Sequence, residues 1–480
     1  MHVNTVLNKI TPGLITKNAL NNLVIATVLF CAAHPASNAA AKPIDGVLRV
    51  HSQNPRYFTD NTGRAVYLTG AHTWANLVDI SPSDPPAKFD FGAYLDWMTK
   101  SNYNFIRLWT WEPATWNTKA NRENALHTCA PQPFARTGPG KALDGKPKFD
   151  LNKYDPAYFD RLRKRVAAAS NRDIYVSVML FEGWAMQFSQ GAWQGHPFNP
   201  ENNINGIDAD KNKDGKGLEL HELAVPEVTH IQENYVRKVI DTVNDLDNVL
   251  YEISNENHPA STQWQYHMIH FIKNYEKTKP KQHPVGMTFQ YKGGSNETLF
   301  ESPADWISPN PEGGYRDNPP AADGRKVIIN DTDHLWGIGG NKSWVWKSFL
   351  RGHNPIFMDP YDGIVLGEEF DPKYEPLRKA LSHTHTYAEK MDLIKMLPKP
   401  ELSTTGYCLA NPGTEYLIYN PGPDKTFTVT LKPTDYSYEW FDTTKGKVIS
   451  TGSINAKSQT ENFTAPISPD VILYLKRASK

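Results

Sequence analysis

The chain has 480 residues, 51 of them basic and 52 acidic. A near-neutral balance with no basic tract excludes a surface built for nucleic acid. Three cysteines exclude a disulfide framework, and no Cys-x-x-Cys or Cys/His spacing suggests zinc.

In chain order, Lys9 and Lys17 precede an apolar stretch from Leu23 to Ala33. Ser37-Asn38-Ala39 and Ala39-Ala40-Ala41 follow as A-x-A-like cleavage sites. Residues 1–41 read as a secretory signal peptide. The mature chain is therefore expected to be secreted, periplasmic or at the cell surface, with no integral membrane segment. It retains Cys129 and Cys408, enough for one disulfide.

Short apolar runs then alternate with helix-period segments, the pattern of βα units and a parallel sheet. Strands are expected at Ala65–Gly70, Phe105–Trp109, Ile174–Phe181, Val249–Asn255, Pro284–Phe289, Ala304–Ser308, Lys326–Asn330 and Pro355–Met358. A long loop rich in Trp, Pro and Gly follows the second. Asp155-Pro156 is an N-cap and first-turn pair. Eight such units fit one (β/α)₈ barrel over 42–397; a doubly wound open sheet is the alternative, but no Gly-rich phosphate loop opens any helix. After the Pro-containing linker 395–400, five short alternating strands separated by Asn-Pro-Gly, Pro-Gly-Pro and Lys-Gly turns predict a small antiparallel β-sandwich over 401–480.

The fourth run, Val249-Leu250-Tyr251-Glu252-Ile253-Ser254-Asn255-Glu256, ends abruptly in Asn-Glu. In a (β/α)₈ barrel, side chains at the C-terminal strand ends face the active-site mouth. Glu256 is there a proton-donating carboxyl, and Asn255 an amide able to hold a sugar hydroxyl. Cleaving a glycosidic bond needs a second carboxyl group opposite. The seventh strand runs directly into Asn330-Asp331-Thr332-Asp333-His334 and supplies two candidates. Asp331, nearest the strand end, is expected to be the nucleophile and Asp333 the alternative, both facing the mouth if the strand stays extended. Arg107, inside an otherwise apolar strand, needs a carboxylate partner and is expected beneath the nucleophile. His72, Trp74, Trp109, Trp111, Glu112, Trp184, His258, Tyr291, His334 and Trp336 fall at or just past strand ends. They are read as an aromatic-lined polar cleft for an oligo- or polysaccharide.

Two metal readings compete. Asp331-x-Asp333-His334 has the donors for a divalent ion but lacks a supporting His-x-His on another strand. Asp208-x-Asp210-x-Asn212-x-Asp214-Gly215 has the spacing of a calcium loop. A start at Asp208 closes on Glu219 but puts Lys213 at the turn glycine; a start at Asp210 places Gly215 correctly but ends on His221. A structural calcium is thus a candidate, with no cofactor expected for catalysis.

The Asn255-Glu256 strand end, Arg107 on strand two and an acid after strand seven resemble the clan-A retaining glycoside hydrolases. Asn54-Pro55-Arg56-Tyr57-Phe58, Leu68-Thr69-Gly70 and His72-Thr73-Trp74 resemble the apiosidase-like barrel proteins. Tyr438–Val448, with Trp440-Phe441-Asp442, is similar to the collagen-binding-type β-domain many of them carry. The resemblance implies Glu256 as acid/base, Asn255 on the sugar next to the cleaved bond, and the acid after strand seven as nucleophile. The clan's nucleophile is Glu, whereas this chain offers Asp. A non-catalytic glycan- or matrix-binding protein on the same scaffold is the alternative function.

Overall fold

The computed structural model describes residues 43–118 and 125–478; the signal-peptide reading falls outside them. Eight parallel strands close into a barrel: β1 Gly70–His72, β2 Phe105–Leu108, β3 Tyr175–Glu182, β4 Val249–Asn255, β5 Val285–Thr288, β6 Trp306–Ser308, β7 Val327–Asp331 and β8 Asn354–Met358. β8 pairs with β1 through Met358 and His72, and β1 with β2 through Gly70 and Phe105. The main helices between strands are α1 Phe91–Lys100, α2 Pro156–Ser170, α3 Pro226–Val243, α4 Thr262–Glu276, α5 Asn296–Glu301, α6 Lys342–Leu350 and α7 Glu375–Lys390. Their starts follow from the sequence. Asp90 accepts the Ala93 N–H at 2.9 Å, and Asp155 accepts that of Ala157 at 2.9 Å with Pro156 in the first turn.

Two apolar layers sandwich the barrel wall. The lumen is filled by Phe105, Leu250, Trp306, Val327, Ile329 and Ile356. The opposite faces carry Ile106, Leu108, Tyr251, Ile253 and Ile328 into the larger cluster under the helices, as period-two alternation requires. Gly286 on β5 has no side chain because the Trp306 ring occupies the place; a Cβ there would lie 1.9 Å from it.

Some expectations are corrected. Ala65–Gly70 is not a barrel strand. Ala65–Val66 joins Arg49–Val50 and Phe58–Thr59 in a small antiparallel sheet, and the barrel begins only at Gly70. An antiparallel meander reads as apolar as a barrel strand when its residues are buried. The loop after β2 also holds strands: His127–Ala130 lies between Thr115–Trp116 and Asp79–Ser81 of the loop after β1, and Phe134–Lys141 pairs with Pro147–Tyr154. Cys129 and Cys408, which left room for one disulfide, are both free and buried, in separate cores.

The C-terminal region is antiparallel. One sheet runs in the order Leu397–Pro398, Cys408–Asn411, Glu415–Asn420, Val471–Arg477, Thr434–Asp442 and Lys447–Ala456, and a second pairs Thr426–Thr430 with Thr460–Thr464. Cys408–Asn411 and Lys447–Ala456 were not among the expected strands. The second is mostly exposed and carries Ser450-Thr451-Gly452-Ser453 at its centre, which leaves little apolar signal. Among the described residues, no helix is long and apolar enough to cross a membrane.

Candidate active site

Above the apolar lumen lies one charged layer. On β2, Arg107 stands two residues past Phe105; on β4, Glu252 two past Leu250; on β7, Asp331 two past Ile329. The same parity puts all three on the lumen face. Arg107 donates from Nε to Glu252 Oε2 at 2.9 Å and from Nη2 to Oε1 at 2.6 Å, a bidentate pair. Its Nη1 reaches Asp331 Oδ2 at 2.8 Å and Asp333 Oδ2 at 3.2 Å, and Nη2 also donates to Asn255 Oδ1 at 2.6 Å. A guanidinium 1% exposed is tolerable only with such compensation. Glu252 was overlooked in the sequence. Its signal was the same as that of Arg107, a lone charge at an inward position of an apolar strand.

The strand ends build the mouth. Asn255 closes β4, and Glu256 follows at φ +43°, a left-handed conformation that costs a non-glycine residue free energy and is found where surrounding structure imposes it. The neighbouring end of β3 is held close by Gly183, where a Cβ would come 2.4 Å from the Asn257 Cα. A cavity of about 530 Å³ opens here. Glu256 and Asp333 share its wall with Asn255 and His334, and Trp74, Trp109, Trp184, Tyr291 and Trp336 supply flat apolar faces.

Asp331 does not line this cavity. The chain leaves the extended conformation at once, and Thr332–Trp336 is a helical turn capped by Asp331, whose Oδ1 accepts the Asp333 N–H at 3.0 Å. Both acids reach Arg107 Nη1, but they do not both face the mouth, as they would on an extended strand. Asp331 is fully buried between Arg107 and His72, whose Nε2 lies 2.8 Å from Oδ2. Asp333, in the first helical turn, is the acid brought to the cavity.

The electrostatics separate these groups. Burial opposes ionisation of Asp331, but the His72 and Arg107 side chains overcome it and hold the carboxyl well below the usual range. Asp333 is pushed up to about 6, by burial first and by the charge of Asp331. Glu256 is pushed well above its ordinary value by burial, then by Asp333 and Glu182. His334 is held neutral by burial and by Arg107. Its Nε2 lies 3.2 Å from Asn255 Oδ1 and its Nδ1 2.7 Å from Ser308 Oγ. Because Asn255 Oδ1 also accepts from Arg107, Nε2 is the donating nitrogen of this ring.

The remaining expected residues divide. His72 stacks on Trp109 at 5.4 Å and acts on the cavity only through Asp331. Trp111 packs behind, donating to the Trp74 carbonyl at 3.0 Å. His258 turns away and meets the Leu218 carbonyl at 3.1 Å. Neither Trp111 nor His258 lines the cavity. Glu112 binds His221 at 2.9 Å and the Glu182 N–H at 2.8 Å, away from the cavity. Lys292 and Arg316 on the cavity wall were missed, since both lie in loops past strand ends without a strand pattern to mark them.

Asp331, Asp333 and His334 bring ligand atoms within 4.8 Å of one another. The arrangement does not suit a cation. Both Asp331 oxygens and both His334 nitrogens are already engaged, and the Arg107 guanidinium touches both acids.

The family described as a domain of unknown function, DUF6298, matches residues 122–292. No curated protein matches the chain. A solved structure described as a glycoside hydrolase superposes with a TM-score of 0.57 at 12% identity, covering 92% of this chain and 99% of that one. A glycoside hydrolase family 5 protein from Bacteroides vulgatus superposes with a TM-score of 0.60 at 12% identity, covering 91% of this chain and 94% of that one. At that identity the likeness establishes a shared fold, over both the barrel and the C-terminal region.

Proposed function

We propose that this chain is an exported glycoside hydrolase that uses Glu256 as acid/base and Asp333 as nucleophile. The observation that carries the reading is that two carboxyl groups with opposed roles line one aromatic-walled cavity. Glu256 retains its proton where Asp333, beside Arg107, ionises. Environments that push two carboxyl groups apart assign the acid and the base. Glu256 gives its proton to the glycosidic oxygen as the bond to the anomeric carbon breaks, and the Asp333 carboxylate takes that carbon. Water, deprotonated by Glu256, then releases the sugar and restores both groups. Asn255, fixed through its Oδ1 by Arg107 and His334 and with its amide beside the Glu182 carboxyl, offers its remaining amide N–H to a substrate hydroxyl. Glu252 and Asp331 hold Arg107, and His72 holds Asp331; all three are positioning residues.

The apiosidase-like sequence features and the leader-like residues 1–41 support a plant or microbial polysaccharide as substrate, met outside the cytoplasm. The test is hydrolysis by the purified chain of a polysaccharide panel with identification of the sugars released. Lys292 and Arg316 add cations to the wall, so uronate-containing polymers belong beside neutral ones. The first-formed anomer should keep the substrate's configuration by NMR, and a slow donor with an activated leaving group should label Asp333. Inverted product would make Asp333 a general base instead. No hydrolysis across the panel, with oligosaccharide still bound, would favour the glycan-binding alternative.

A further inference from the structure

The loop between β3 and α3 carries the acidic motif, and the structure selects its register. Asp208 is occupied by the loop's own residues, ion-paired with Lys213 and accepting the Asp210 N–H at 3.0 Å. From Asp210 onward the backbone curls inward. Asp210 accepts the N–H groups of Asp214 at 3.2 Å and Gly215 at 2.9 Å, Asn212 Oδ1 accepts that of Asp214 at 2.8 Å, and Asp214 accepts that of Lys216 at 2.9 Å. Gly215, at φ +80°, stands sixth from Asp210, where such loops need their sharp turn.

Those hydrogen bonds shape the loop but call for no ligand. Glu219 does. It is 9% exposed, its Oε1 touches the Asn212 side chain inside the loop, and its buried Oε2 has no hydrogen-bond partner. A buried carboxylate oxygen left unpaired has lost its hydration with no hydrogen bond to offset the loss, and native structures seldom leave one so without a reason. Glu219 comes tenth from Asp210, earlier than the usual closing Glu. The short helix Leu218–His221 turns it back over the loop.

We propose that Asp210, Asn212, Asp214, the Lys216 carbonyl and Glu219 bind one calcium ion. With Glu219 bidentate and one oxygen from each of the others, these groups offer six oxygens, the hard donor set calcium takes, on a loop too irregular for the octahedron magnesium demands. Asp208 is not a ligand. The ion would fix more than the loop. The Leu218 carbonyl holds His258, two residues past Glu256. His221 holds Glu112, which in turn accepts the Glu182 N–H at the end of β3. Calcium therefore closes a turn that braces the ends of β3 and β4.

Trp193 packs on Gly217, where a Cβ would come within 2.2 Å of its ring, so terbium in the loop should be sensitised by a tryptophan. The experiment titrates the chelator-stripped full chain with terbium and then calcium, and follows its melting temperature. Terbium emission should saturate at one ion per chain and be displaced by calcium. Calcium should raise the melting temperature by about 2 °C or more at saturation. Glu219→Gln should weaken calcium at least tenfold. Asp214→Asn, at an exposed side chain, should do the same without disturbing folding. A melting temperature indifferent to chelator and calcium overturns the proposal. So does a terbium or calcium response that both variants keep unchanged, since the ion would then lie elsewhere.

Discussion

The mouth of the barrel and the seam between the barrel and the C-terminal sheet both hold charged groups, and they treat them differently. At the seam each charge meets a partner. Glu439 takes the Tyr387 hydroxyl at 2.8 Å and Lys390 at 2.5 Å, Glu415 accepts the Asp392 N–H at 3.1 Å, and Lys342 pairs with Asp470 at 3.1 Å. Around them Trp346 packs against Tyr419 and Phe441, and one core runs from barrel helices into the sheet. At the mouth, one cation is shared among Glu252, Asp331 and Asp333, and Glu256 faces the cavity with an excess of acid around it. The seam is arranged for stability. The mouth holds carboxyl groups away from their ordinary pKa values, and that displacement is what acid and base catalysis requires.

Four substitutions break or sharpen this contrast, taken from the largest effect down. Asp333→Asn should lower kcat/KM by at least about 10⁴-fold, as loss of a nucleophile does, with little change in melting temperature because Arg107 keeps Glu252 and Asp331. Asp331→Asn is the counterpart, and should cost about 3–5 kcal/mol of stability by breaking a buried pair. Equal activity loss from both variants, without destabilisation by Asp331→Asn, would return the nucleophile to Asp331.

Glu256→Gln should reduce kcat by about 10²–10⁴-fold on natural linkages and by much less on activated leaving groups, measured on matched substrates. It should also stabilise the protein at higher pH. A folded-state pKa raised above the unfolded value gives stability that is complete below the unfolded pKa and lost as pH rises through the folded pKa. The parent should therefore lose melting temperature relative to the Gln variant as pH increases.

Trp346→Ala should cost about 3–5 kcal/mol while leaving KM for any substrate unchanged. Calorimetry of the parent should show one cooperative transition for barrel and sheet. Two resolved transitions, with the barrel's unmoved by Trp346→Ala, would make the C-terminal region an independent module.

The smallest effect is in the pH profile. Activity should rise with pH through about 6 as Asp333 ionises, and fall at higher pH as Glu256 loses its proton. Asp331→Asn removes a neighbouring negative charge, so the acid limb should move to lower pH. An acid limb that stays in place would separate the two acids electrostatically.

Much of this was written locally in the chain. The Asn255-Glu256 strand end, Arg107 within an apolar run and the acids after the seventh strand were legible because period-two alternation and strand ends leave marks over a few residues. Barrel closure followed from repeated βα units. Glu252 carried the same mark as Arg107 and went unread. The sequence by itself determined the barrel, the antiparallel region after it and a cluster of acids at one end. Only the tertiary structure decided which acid faces Glu256, because that depended on the chain turning helical at Thr332, one residue past the strand. It alone also withdrew His258 and Trp111 from the cavity, kept Cys129 and Cys408 apart, and set Glu219 over the Asp210 loop. The places of His258, Trp111 and the two cysteines rest on contacts between segments distant in the chain, for which local periodicity leaves no signal, whereas the turns at Thr332 and Glu219 are local bends that a period-two reading passes over.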